Sequence, residues 1–326
     1  MVELVVLFEV KSYDLAVKSA NFHYNPGRER YMNYPLYLVD VFAETKYAGN
    51  QLAVIRNAAG LAALEMQKIA REMNYSETTF IINDQERSGG YDVRIFSINE
   101  ELPFAGHPTL GTAFVIQQEL IGKEVPEVKL NLEVGQITVS FSYVKGVPGM
   151  LWMQQIAPTF GRIFNTEDVA RAISIEKGQI DQRFPVQEVS TGLPFIIVPL
   201  LNLEAVRSSL IDRVGFLRLI DQAEAKSIFV FCPETYHTEN DINARMFDDY
   251  HGISEDPATG SANGCLAAYL VKHHYYGSNV IDIKVEQGYE IGRPSLLMLK
   301  AQEEEGGTIA VSVGGKVIMV ARGELV

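Results

Sequence analysis

The chain reads as an α+β fold built from two similar halves, each with a helix enclosed by sheet. Three observations predict this. Short strand patterns outnumber helical ones along the chain. Each half carries one strongly apolar helix, and a helix without a polar face has to be covered on all sides. A motif also repeats. Arg94-Ile-Phe96 precedes Glu101-Leu-Pro-Phe-Ala-Gly106 and a helix, and Arg245-Met-Phe247 precedes Glu255-Asp-Pro-Ala-Thr-Gly260 and a helix. Glu-x-Pro-x-x-Gly is identical in both, and a further glycine follows at Gly111 and Gly264. The match is short, so chance similarity is the alternative. A true repeat would make the chain two copies of one fold, with the two helix N-termini facing each other across a cleft.

Residues 1–31 differ from the rest, because residues 21–30 have no hydrophobic period and carry turn formers. They read either as an N-terminal extension from an upstream start, with Met32 opening the body, or as an ordinary ordered arm. The halves are then 32–150 and 151–326, with the last strand free to return to the first half. Tyr34 to Phe42 has the pattern of a buried strand, and Gln51 to Ile55 is a second. Ala62 to Met73 has helical spacing, with Leu64, Met66, Ile69, Ala70 and Met73 apolar. Thr78–Ile82 and Tyr91–Phe96 read as strands, and Pro108–Leu120 as the first apolar helix. Val128 to Met153 reads as strands separated by Gly and Pro turns. Strands are expected around Val186–Val189, Phe195–Val198, Ile228–Phe231 and Asn243–Phe247. The second apolar helix covers about Ser261 to His274, and three or four strands close the chain.

Composition narrows the function classes. Of 326 residues, 47% are hydrophobic and 21% charged, the profile of a packed globular protein. The net charge of −13 argues against nucleic acid and anionic membranes as partners. No apolar run reaches the roughly 20 residues a membrane helix needs. The two cysteines, Cys232 and Cys265, form at most one disulfide, and a cytoplasmic location is the simpler expectation. No dinucleotide fingerprint, phosphate loop, His-Glu-x-x-His, Cys-x-x-Cys or Gly-x-Ser-x-Gly is present. The six histidines do not cluster at zinc spacing, so neither metal nor cofactor is expected.

Three segments hold candidate chemistry. Glu77 sits between a helix and a strand, where partial burial would raise its pKa and suit it to acid–base work; a solvated loop glutamate is the alternative. Gly106-His107-Pro108 opens the first apolar helix. Gly106 leaves backbone N–H groups approachable, and His107 either donates to a ligand there or merely caps the helix. Asp256-Pro-Ala-Thr-Gly260-Ser261 opens the second apolar helix, with Thr259 or Ser261 as N-cap and small residues that leave the backbone open to an oxyanion; a capped helix packed closely on sheet is the alternative.

Together these segments resemble the PhzF-like isomerase family of phenazine biosynthesis. The matching stretches are Asp40-Val-Phe-Ala43, Gly49-Asn-Gln-Leu-Ala-Val54, Ser76-Glu-Thr-Thr-Phe80, Glu101 to Thr112, Glu255 to Ala262, Val313-Gly-Gly315 and Ala321 to Leu325. The resemblance implies a diaminopimelate-epimerase-like fold: two pseudo-symmetric halves, each a curved, mostly antiparallel sheet around a central helix, with the active site between them. It implies a homodimer and a small anionic substrate. It implies that Glu77 transfers the proton, that His107, Asp256 and Ser261 contact the substrate beside Ser76, and that Gly106 and Gly260 offer backbone N–H groups. The function it implies is a cofactor-independent isomerase similar to trans-2,3-dihydro-3-hydroxyanthranilate isomerase. A racemase or epimerase, or a non-catalytic binding protein of the same fold, is the alternative. The related epimerases carry a cysteine at each helix mouth, and here neither mouth has a thiol; Cys265 lies deeper in the helix and is expected in the core.

Overall fold

Among the described residues, eighteen strands and two buried helices follow a single pairing scheme used twice. The computed structural model describes residues 33–221 and 223–326; the expected extension 1–31 lies outside the described residues. The first half contains β1 (Tyr34–Val41), β2 (Asn50–Ile55), α1 (Ala63–Met73), β3 (Glu77–Ile81), β4 (Tyr91–Ser97), β5 (Glu101–Leu102), α2 (Gly106–Ile116), β6 (Glu127–Leu132), β7 (Gly135–Val144) and β8 (Val147–Gln154). The second contains β9 (Thr159–Ile163), α3 (Thr166–Ala172), β10 (Gln187–Ser190), β11 (Pro194–Pro199), α4 (Leu203–Ser208), α5 (Arg213–Ile220), β12 (Ile228–Cys232), β13 (Ile242–Asp248), β14 (Ile253–Asp256), α6 (Gly260–Lys272), β15 (Val280–Gln287), β16 (Ser295–Glu303) and β17 (Ile309–Gly315), before β18 (Val317–Leu325).

In the first half β1–β2, β3–β4, β4–β5, β6–β7 and β7–β8 are antiparallel, while β2–β3 and β4–β6 are parallel. The second half repeats this in order. There β10–β11, β12–β13, β13–β14, β15–β16 and β16–β17 are antiparallel, while β11–β12 and β13–β15 are parallel. The outer strands complete the symmetry: β9 pairs with β10, and β18 crosses back to pair with β1. β8 spans the boundary expected at 150/151 and pairs with β17, joining the halves. The sheet is curved and unclosed.

The repeat extends to side chains. Arg94 donates to both carboxylate oxygens of Glu101, at 2.6 and 2.5 Å, and lies over the ring of Phe96. Arg245 does the same to Glu255, at 3.0 and 2.7 Å, over Phe247. Each pair ties a helix-leading strand to its neighbour.

Every residue of α2 is buried, as is α6 from Gly260 to Val271. Both are apolar on all faces, and the largest core cluster forms around them. A second cluster lies under α3–α5 and a third around α1. Helices α3, α4 and α5 were not anticipated from sequence. They run 7, 6 and 8 residues, too short for a period to declare itself. Among the described residues no helix is long and apolar enough to cross a membrane.

Candidate active site

The pairing scheme brings the first turns of α2 and α6 together. A Cβ on Gly106 would lie 3.3 Å from the backbone N of Ser261 and 3.5 Å from the Cα of Gly260. A side chain there would press on the α6 backbone, so glycine lets the two ends approach closely, which leaves two sets of unpaired helix N–H groups in one place. Each helix end contributes roughly half a positive charge there.

All seven residues singled out from sequence line one cavity of about 440 Å³: Ser76, Glu77, Gly106, His107, Asp256, Gly260 and Ser261. Glu77 is the first residue of β3 rather than part of the loop before it. Its Oε2 faces His107 Nε2 at 3.3 Å without a hydrogen bond between them, and neither buried atom has another partner. Burial pushes the Glu77 carboxyl up to about 8, helped by the nearby charges of Asp256 and Asp248. Burial pushes His107 down to about 3, opposed only in part by the Gln51 backbone. At neutral pH the pair is therefore mainly a carboxylic acid facing a neutral imidazole and not an ion pair.

Asp256 closes the other side. Burial raises it to about 6, against hydrogen bonds that favour its charge. Its Oδ2 accepts from Thr259 Oγ1 at 2.5 Å, and its Oδ1 accepts from Asn50 Nδ2 at 2.9 Å and Ser76 Oγ at 3.4 Å. Thr259 holds the N-cap position of α6, but its hydroxyl is spent on Asp256 and makes no cap. His107 does not cap α2 either; Ala105 is the N-cap. Cys265 is buried 3.7 Å from Thr191 Oγ1 and lies in the core. Among the described residues no three His, Cys, Asp or Glu converge as metal ligands would.

The sequence reading missed the residue at the centre. Asn50 Nδ2 also donates to the Ala258 carbonyl at 2.9 Å and lies 3.3 Å from His107 Nδ1, so it links both helix mouths. Gly49, at φ +68°, turns the chain to place it: a Cβ there would sit 2.3 Å from the Val41 carbonyl oxygen. Arg293 fixes that turn by donating to the Gly49 and Ala48 carbonyls and to Asp40. Gln287 was missed too. It donates to the Asp256 carbonyl and accepts from Thr259 N and Asn263 Nδ2. The signal for Asn50 was its place in the Gly49–Val54 stretch; nothing local marks Arg293 or Gln287.

Comparison with known proteins agrees with this architecture. Residues 39–323 match the family described as phenazine biosynthesis-like protein, PhzC-PhzF. A trans-2,3-dihydro-3-hydroxyanthranilate isomerase of Pseudomonas chlororaphis is 33% identical over 89% of this chain and 98% of its own. An uncharacterised isomerase of Pasteurella multocida is 34% identical over 90% and 94%. A crystal structure of a Bacillus anthracis PhzF-family protein superposes with a TM-score of 0.81 at 26% identity, covering 90% of this chain and 99% of that one. A probable proline racemase from Agrobacterium radiobacter, 10% identical with a TM-score of 0.62, shares the fold alone; the match covers 90% of this chain and 93% of that one. The chain belongs to the PhzF family and is an isomerase.

Proposed function

We propose that this isomerase works without a cofactor, by acid–base proton transfer through Glu77 on a small cyclic or dienyl carboxylate of the kind named for the trans-2,3-dihydro-3-hydroxyanthranilate isomerases. The single observation that carries the reading is the Glu77–His107 pair, two buried side chains whose facing atoms, Oε2 and Nε2, have no hydrogen-bond partner in the cavity wall. A carboxyl with a pKa near working pH is the best compromise for a group that must both take and return a proton. Its ionised fraction removes a proton from substrate carbon. The resulting negative charge is stabilised by the N–H groups of both helix mouths, which need no reorganisation as charge develops. Glu77 then returns the proton at another position of the same molecule. Neutral His107 cannot donate a charge, so it serves to orient Glu77 and to accept or lend a hydrogen bond.

An epimerase would need a second acid opposite Glu77 across the substrate. His107 lies beside Glu77, and the two mouths carry Gly106-His107 and Gly260-Ser261 in place of thiols. Deuterium wash-in from heavy water into dihydro-hydroxyanthranilate or related dienyl carboxylates tests the reading. Glu77→Gln is expected to cut exchange by about 10²–10⁴-fold while leaving folding and ligand binding intact. Dialysis against a chelator is expected to change nothing. Full exchange in Glu77→Gln would pass the role to His107 or Asp256.

A further inference from the structure

The two halves follow one scheme, and they part company beside the cavity. Arg94 and Glu101 are seven residues apart, whereas Arg245 and Glu255 are ten apart. In the first half the shorter link closes as a tight turn on Ser97 Oγ, which accepts from the N–H groups of Asn99 and Glu100. In the second half the three extra residues appear as a single turn of 3₁₀ helix, Asp249–His251. The fold does not need that turn, since the first half makes the same strand pair without it. What the turn does is place His251 in the wall of the cavity, with Asp248 next to it.

His251 is held for use. Its Nδ1 lies 2.6 Å from Asp248 Oδ1, and Ser227 Oγ donates to the same oxygen at 2.7 Å. The ring of Tyr250 stands edge-on at 5.1 Å. Among the described residues Nε2 makes no hydrogen bond, and half of the side chain is exposed. We propose that His251, oriented by Asp248, recognises a second anionic group on the substrate, so that the ligand is a dicarboxylate or an equivalent dianion rather than the monocarboxylate its relatives' name describes. This rests on the proton-transfer reading of the same cavity and adds to it.

The wall offers few places for a second anion. Asp248 and Glu224 line it with carboxylates that repel one, and Glu100 acts on His251 from the loop between β4 and β5, so a second acidic group has to seek a cation. Lys226, the other basic side chain in the wall, directs its ammonium to the Ile220 and Ala223 carbonyls at 2.8 and 2.9 Å and lies over the Tyr250 ring. That leaves His251 as the wall cation with a donor free for a ligand. Its hydrogen bond to Asp248 favours the charged imidazolium, with burial opposing and Glu100 assisting.

Calorimetric titration at pH 6 of hexanoate against adipate, and of octanoate against suberate, tests the proposal. Each dicarboxylate is expected to bind the wild type about tenfold more tightly or better, the worth of one charge-assisted hydrogen bond. His251→Gln should abolish that advantage while leaving the monocarboxylate affinity and the melting temperature unchanged. Asp248→Asn should reduce it in part, and in the wild type it should shrink as pH rises and His251 loses its charge. An advantage that survives His251→Gln, or the absence of any dicarboxylate preference or binding, overturns the proposal. Glu77→Gln should keep the dicarboxylate preference, so failure of proton transfer and failure of this second contact give different results.

Discussion

At the scale of residues, Glu77 holds a proton that it would release if the chain unfolded. Its pKa is about 8 in the fold against 4.5 when unfolded, and Asp256 moves the same way, to about 6 from 3.8. Between these values the folded state binds more protons, so stability is fully present below about pH 4.5 and is lost as pH rises through about 8. Glu77→Gln removes the larger part of this dependence. The variant is expected to gain melting temperature over the wild type from pH 5 to about pH 8 and to hold that gain to pH 9, by several degrees for a chain this long. Parallel melting curves for the two proteins across that range would show that the carboxyl is not held neutral. The seven residues proposed for the site were legible in the sequence because each lies in a contiguous motif at a helix or strand start. Asn50 was half legible, quoted in a motif without a role. Arg293 was not legible at all, since it meets the Gly49 carbonyl across 244 positions of chain and no local pattern encodes such a meeting.

At the scale of elements, one ion pair serves two strand–helix units in two environments. Arg245 and Glu255 are each 6% exposed, and Arg245 also donates to the carbonyls of Val206, Arg207 and Ser209. Arg94 and Glu101 are each one-third exposed. Arg245→Met strands a buried carboxylate and three carbonyls, so it is expected to cost about 3–5 kcal/mol. Arg94→Met leaves its partner within reach of water and is expected to cost about 1 kcal/mol or less. Urea denaturation of the two variants checks this, and equal losses would mean that burial does not set the difference. The repeated Arg and Glu were visible in the sequence as part of the duplicated motif. Their unequal burial was not, because it depends on α4 and the turn after it covering one pair and on nothing comparable covering the other. For the same reason α1 could be read from its period and α2 and α6 from their apolar runs, each end to within about four residues, while α3 to α5 owe their form to the sheet beneath them.

At the scale of the whole molecule, the first half borrows its outer strand from the far end of the chain. β18 pairs along the full length of β1, from Tyr34 with Leu325 to Val41 with Val317. A chain ending at Gly315 would leave that edge open and uncover the core side of β1. It is expected to lose cooperative melting and to aggregate, as read by circular dichroism and gel filtration. A truncated chain that stays monodisperse and melts near the full-length temperature would show that β18 is an accessory. The borrowed strand also sets an order of events during synthesis. The second half receives β9 before β10 is made, but β1 must wait for β18 to leave the ribosome. At about 5–20 residues per second that is roughly fifteen seconds to a minute with an unpaired apolar edge. Newborn chains of this protein therefore carry an open β1 edge until β18 emerges, whatever the stability of the finished fold.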